Sequence, residues 1–228
     1  MAPSAFHAHT DDPLGLATAG DKILTSLEIG PVKDYVELLA ETGFYVNTGS
    51  GVTGAPFLML KFAQRATMSY ELRSTSMAIP LGAKINTSWV LESMSVDYGG
   101  EKYPTVNLTA LQLNNTSAPV WHGTPSTYTA LGGYGAVDIG ASGFNVTTPA
   151  ESGTISFSQA MLEAMDIGAN AGKYLDSGLT FHNMRKVYRL TSYETFSVPT
   201  GGISTGEPVV SRRDGYKLFT REWFTYVT

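Results

Sequence analysis

The chain has 228 residues with 20 acidic and 15 basic side chains, a formal net charge of −5; that acidic balance argues against unaided binding to DNA or RNA, since affinity for phosphate needs a basic face. Charged residues are only 15% of the chain, against about 25% in an ordinary soluble protein, and 24 Gly, 26 Thr and 20 Ser fill the difference. The hydrophobic content of 43% supports a substantial core, no apolar run approaches the roughly 18 residues of a membrane-spanning helix, and the absence of cysteine removes disulfides, thiolate nucleophiles and Cys-ligated zinc or iron–sulfur centres.

In chain order, residues 1–22 read as an extended arm, and residues 23–228 as a single β-rich domain. The start, Met1 to His9, has neither a basic n-region nor an apolar stretch, so no secretory signal is expected and synthesis in a cytoplasm is. Gly30-Pro31 followed by Val32, Tyr35, Val36 and Leu39, with Gly43 beyond, predicts a short helix, because the apolar residues recur at i, i+3, i+4 and i+7. Gly49-Ser50-Gly51-Val52-Thr53-Gly54 matches the dinucleotide pattern GxGxxG. That pattern needs a helix opening within a βαβ unit, and Pro56 with no parallel strands after it favours a turn.

Strands follow. Thr67 to Arg73, Asn86 to Tyr98 and Thr105 to Leu113 are read as strands, the last alternating Val106, Leu108 and Ala110 against Asn107 and Thr109. The turn-rich connector Gly99 to Pro104 makes the latter two a long antiparallel hairpin. From Asn114 to Gly153 the chain is rich in Ser, Thr and aromatics, including Trp121, Tyr128, Tyr134 and Phe144. A connection of that length is commonly functional. Two readings are open, an excursion packing on a partner or a loop lying on its own sheet. Ser156 and Gln159 form a capping-box pattern ahead of Met161, Ala164 and Met165, which predicts a second helix over 156–167. Lys186 to Val198 and Lys217 to Val227 read as further strands, with a turn at Arg213-Asp214-Gly215. The expected class is mainly β with minor α: an antiparallel β-sandwich or open barrel with one or two short helices and a long loop excursion.

Patterns with catalytic resonance fail on context. Gly202-Ile203-Ser204-Thr205-Gly206 matches GxSxG, but Glu207-Pro208 follows where the nucleophile elbow needs a helix, and the last histidine, His182, lies upstream. His7, His9, His122 and His182 have no HExxH or similar spacing. Asp11-Asp12 in the arm and Glu92 and Asp97 on the hairpin are unremarkable for acid–base work, and a solvated strand face is the default. Five Asn-x-Ser/Thr sequons (Asn86, Asn107, Asn114, Asn115, Asn145) match an abundance of those residues rather than glycosylation. No cofactor, metal or catalytic residue is expected.

The segment Trp89-Val90-Leu91-Glu92-Ser93-Met94-Ser95-Val96-Asp97 to Tyr103-Pro104-Thr105-Val106-Asn107-Leu108-Thr109, with the β-rich ending Lys217 to Val227, resembles tail-tube and related tail proteins of long-tailed bacteriophages. The resemblance implies a non-enzymatic virion subunit with two β-sheets and a helix, forming hexameric rings that stack into a conduit for DNA. Its partners would be copies of itself and other virion proteins, with DNA at most a non-specific cargo. The insertion 114–153 and the second helix depart from compact members. On this reading the subunit interface involves Trp89, Leu91, Val106, Leu108, Trp121, Tyr128 and Tyr134. The alternative is a host-recognition or carbohydrate-binding module in which Trp121, Tyr128 and Tyr134 stack on sugar rings.

Overall fold

A computed structural model describes residues 12–16, 22–32, 35–38, 57–60, 62–86, 88–113, 120–121, 124–137, 143–165 and 174–227. The strands are β1 (Lys22–Pro31), β2 (Tyr35–Leu38), β3 (Phe57–Leu60), β4 (Phe62–Leu72), β5 (Met77–Leu81), β6 (Lys84–Ile85), β7 (Trp89–Gly99) and β8 (Thr105–Leu113). They continue as β9 (Val120–Trp121), β10 (Ser126–Ala130), β11 (Ala150–Met165), β12 (Tyr174–Ser192), β13 (Ile203–Ser204), β14 (Val209–Arg213) and β15 (Tyr216–Tyr226). No helix occurs among the described residues.

Eleven strands form one sheet in the order β1-β4-β8-β7-β11-β12-β15-β13, with β14 also on β15, β6 on β7 and β9 on β12. Its pairings are antiparallel except the short β9–β12 pair. Two small ribbons, β5–β10 and β2–β3, stand apart from it. The result is a sandwich-like packing of antiparallel sheets. It is not a closed barrel, since the path runs from β1 to β13 without joining.

Period-two patterning explains the layers. Ala66, Met68, Tyr70 and Leu72 of β4 are buried, as are Met94, Val96 and Tyr98 of β7 and Val106, Leu108 and Ala110 of β8. The residues between them are Thr, Ser, Asn, Glu and Asp. Register keeps like with like: Met68 pairs Leu108, which pairs Met94, while Ser69 pairs Asn107, which pairs Ser95. A slip of one residue would invert every strand, so the apolar face specifies the register. Each large side chain buried there stabilises the fold by about 1.5–3 kcal/mol. The same core takes in Met77, Ile79 and Leu81 of β5, Tyr128 of β10, and Ala136, Val137 and Phe144 beyond it.

The hairpin of β7 and β8 forms as expected, with Asp97 opposite Thr105 and Trp89 opposite Gln112. Both expected helices are corrected to strand. Within 31–43, Pro31 ends β1 and Tyr35–Leu38 is β2 paired with β3, while 39–43 lies outside the described residues. Gly30-Pro31 therefore closes an edge strand, where a missing N–H is tolerated. Within 156–167, β11 runs through to Met165 between β7 and β12. The alternation Thr154-Ile155-Ser156-Phe157-Ser158, with partners on both sides, overrides the helix-forming residues after Gln159.

The 114–153 segment is likewise not one open loop. It holds β9, β10 and the start of β11, and its Tyr128 and Phe144 are buried on the chain's own sheet. Lys186 to Val198 is strand only as far as Ser192. Part of the arm also packs on the body. Both carboxylate oxygens of Asp12 accept backbone N–H groups, from Leu14 and Leu16, at 2.8 Å each, and Leu14 is buried in the core.

Candidate interaction surface

The large sheet has a second face, and its sequence is unusual. Registers align Ser26, Ser69, Asn107, Ser95 and Ser156 in one row across five strands. A neighbouring row runs Glu71, Thr105, Asp97, Thr154, Arg189, Glu222. Side chains bond along these rows. The Ser69 hydroxyl donates to Asn107 Oδ1 at 2.7 Å, Asn107 Nδ2 donates to Ser95 Oγ at 3.4 Å, and the Thr154 hydroxyl donates to Asp97 Oδ1 at 2.9 Å. Short polar side chains bonded to one another make a hydroxylated surface with little entropy left to lose on contact.

Toward β12 and β15 the face turns apolar. The Ser156 row continues through Val187 and Phe224 to Ile203. Arg185 sits over the Phe224 ring at 5.7 Å, and Phe224 meets Tyr226 edge-to-face at 5.5 Å. Ile203 is 47% exposed and Tyr226 55%.

Among the described residues the sheet ends here. β14 pairs only with β15 among the described residues, and all five of its side chains are exposed. It is placed by a tight hairpin: Asp214 and Gly215 both have positive φ (50° and 83°), as a two-residue turn with right-handed strand twist requires. Val209 at 66% and Val210 at 50% exposure therefore lie on a strand with one unpaired side. Natural edges are usually blunted by charge, proline or a bulge. The opposite edge fits that rule, since β1 carries a bulge between Leu24 and Ser26, two charges (Lys22, Glu28) and Pro31. The β14 edge carries only Arg212 and Arg213 at its tip.

The residues expected at a subunit interface lie mostly inside. Trp89, Leu91, Val106, Leu108 and Tyr128 are all under 8% exposed and belong to the chain's own core. Tyr128 and Tyr98 share a hydrogen bond between hydroxyls at 2.8 Å, and burial raises the pKa of both phenols above the usual tyrosine value. Burial also raises that of Tyr70, with a hydrogen bond and the negative charge of Asp12 adding to it. Tyr134 is 59% exposed and meets Tyr103 edge-to-face. Trp121 is placed only through its backbone in β9.

Some of the residues weighed for catalysis lie among the described residues. Ile203 and Ser204 form strand β13, and the Ser204 hydroxyl donates to the Gly206 carbonyl at 2.8 Å with no helix following. Glu92 pairs with Arg65 at 2.9 Å on the outward face. The GxGxxG stretch, His7, His9, Asp11 and His122 lie outside the described residues. Among the described residues no three His, Asp or Glu side chains gather in a metal-binding group. No helix there is long and apolar enough to cross a membrane.

Ile203, Val209 and Val210 fall between the expected strands Lys186 to Val198 and Lys217 to Val227. The signal for the hairpin was present, a Val-Val-Ser-Arg-Arg run and a Tyr-Lys-Leu-Phe run around Asp214-Gly215. No protein-family model matches the chain, and no curated protein shows significant similarity to it.

Proposed function

We propose that the protein is a non-enzymatic structural subunit of a tailed-phage particle, a tail tube or related tail protein, which assembles with copies of itself through its sheet edges. The observation that carries this reading is the β13–β14 edge: a strand with one open side bearing the exposed Val209 and Val210, on the same edge of β15 as the exposed Ile203. Adding a strand from a neighbour satisfies the open backbone groups and covers these side chains together. The likeness of 89–109 and 217–227 to tail proteins supplies the kind of particle.

The hydroxylated face suits a wall past which DNA moves. Two of its arginines stand beside carboxylates, Arg65 with Glu92 and Arg189 opposite Glu222, while Arg185 lies over the Phe224 ring. Phosphates passing such a wall meet no cationic run to hold them. Electron microscopy and sedimentation of the purified chain test the reading: rings or tubes that revert to monomers in a Val209→Lys/Val210→Lys double variant support it. Monomers at every concentration, or assemblies indifferent to those lysines, refute it.

A further inference from the structure

One end of the sheet holds a groove whose lining does not include Val209 or Val210. The β7–β8 turn, the start of β11, the chain after β12 and the tip of the β14–β15 hairpin converge on an open groove of about 730 Å3. That volume lies within the roughly 300–1,000 Å3 of small-molecule sites. Its walls are tied together: Gly100 N–H donates to the Glu151 carbonyl at 2.9 Å, Tyr193 N–H to the Pro149 carbonyl at 3.4 Å, and Arg213 Nη1 pairs with Glu151 Oε1 at 2.8 Å. The buried Ser192 hydroxyl donates to Pro149 O at 2.7 Å and accepts from Glu194 N–H at 3.1 Å, which fixes the approach of Tyr193.

Two aromatic rings rise from this frame. Tyr193 is 45% and Tyr216 64% exposed, and they meet edge-to-face with centroids 5.9 Å apart. An edge-to-face pair leaves ring faces open to a ligand, and those faces carry the negative lobe of the aromatic quadrupole. Around them stand Glu101, Lys102, Glu151, Arg213 and Asp214. Three carboxylates against two cations disfavour an anionic ligand. A mixed set of charged donors and acceptors instead matches hydroxyl groups, which donate and accept at once.

We infer that this groove binds a neutral oligosaccharide, with Tyr193 and Tyr216 against the C–H faces of the sugar rings and the charged rim holding their hydroxyls. The site differs from the aromatic trio of the 114–153 segment and stands independently of the assembly reading. Its position beside the hairpin tip leaves Val209 and Val210 free of it.

Isothermal titration of the full-length protein with cellotetraose, chitotetraose and maltotetraose, and with tetragalacturonate as an acidic counterpart, tests the inference. Saturable binding of at least one neutral sugar at millimolar concentration or below is expected, weakened about tenfold or more by Tyr216→Ala and by Tyr193→Ala. Tyr226→Ala, an exposed tyrosine elsewhere on the sheet, is expected to leave binding unchanged. Amide chemical-shift changes in the unmutated protein, clustered at 99–102, 151–152 and 213–216, give a readout that does not depend on a variant folding. Absence of binding to all three neutral sugars, preference for the acidic one, or shifts clustered elsewhere overturns the inference. The Val209→Lys/Val210→Lys variant separates the two proposals, because it is expected to lose assembly and keep sugar binding.

Discussion

Replacing Phe144 by alanine is expected to remove a large share of the protein's stability, because this ring packs the 114–153 segment against three aromatic side chains of the large sheet. Phe144 is 1% exposed and meets Tyr98, Tyr188 and Trp223 edge-to-face at 5.9, 6.2 and 6.3 Å. Truncating a buried Phe costs about 3–5 kcal/mol, against a total stability of about 5–15 kcal/mol for a typical protein. The ring also lies on the backbone of β11. A Cβ added at Gly153 would stand 2.5 Å from Phe144 Cζ and 2.9 Å from Cε2, and 3.1 Å from Leu190 Cδ1. Gly153→Ala therefore overpacks the site, at a cost of about 1–3 kcal/mol. With Phe144 already truncated, the two closest clashes vanish and the methyl fills part of the cavity. The double variant should be less destabilised than the sum of the singles by about 1–2 kcal/mol. Urea denaturation followed by tryptophan fluorescence, with Trp223 as the nearby reporter, measures all four corners of the cycle at concentrations where sedimentation gives monomer. Additive effects, or a Phe144→Ala cost below about 1 kcal/mol, would refute the packing of this segment on its own subunit.

Two further predictions concern the buried phenols. Tyr98→Phe leaves the buried Tyr128 hydroxyl without its 2.8 Å partner and should cost about 1–3 kcal/mol, with Tyr98→Phe/Tyr128→Phe costing less than the sum of the singles; strict additivity in denaturation curves would count against the pair. Alkaline pH should destabilise the fold. Tyr70, Tyr98 and Tyr128 have folded-state pKa values raised by burial, so the unfolded chain loses these protons first and stability falls once pH passes the unfolded value of about 10. With all three involved the slope approaches about 4 kcal/mol per pH unit; absorbance at 295 nm showing them ionising below that point, in folded protein, would contradict it.

What the sequence made legible follows from how local each signal is. The β7–β8 hairpin could be read because Val106, Leu108 and Ala110 alternate with Asn107 and Thr109 next to a turn-rich connector. The mistaken helices have a common cause. In 156–165 the residues Phe157, Met161 and Met165 satisfy a helical spacing, while Ile155 and Phe157 satisfy a strand spacing, and only the flanking strands β7 and β12 decide between them. Those partners lie tens of residues away in sequence. Most of the residues expected at an interface are large and apolar, the kind a chain buries first, and Trp89 and Leu108 lie in its own core. The exposed edge depends instead on which strand ends the sheet. That is a property of the sheet order, to which no single segment points.

Hydrogen exchange across Val209 to Arg213 and Ile203 to Ser204, compared between dilute and concentrated protein, tests the assembly account most directly. The account predicts that amides on the unpaired side of this edge exchange freely in the dilute monomer and become protected as the sedimenting mass rises to that of a ring. Unprotected amides on that edge in a fully formed assembly, or an unchanging monomer mass at high concentration, would contradict it.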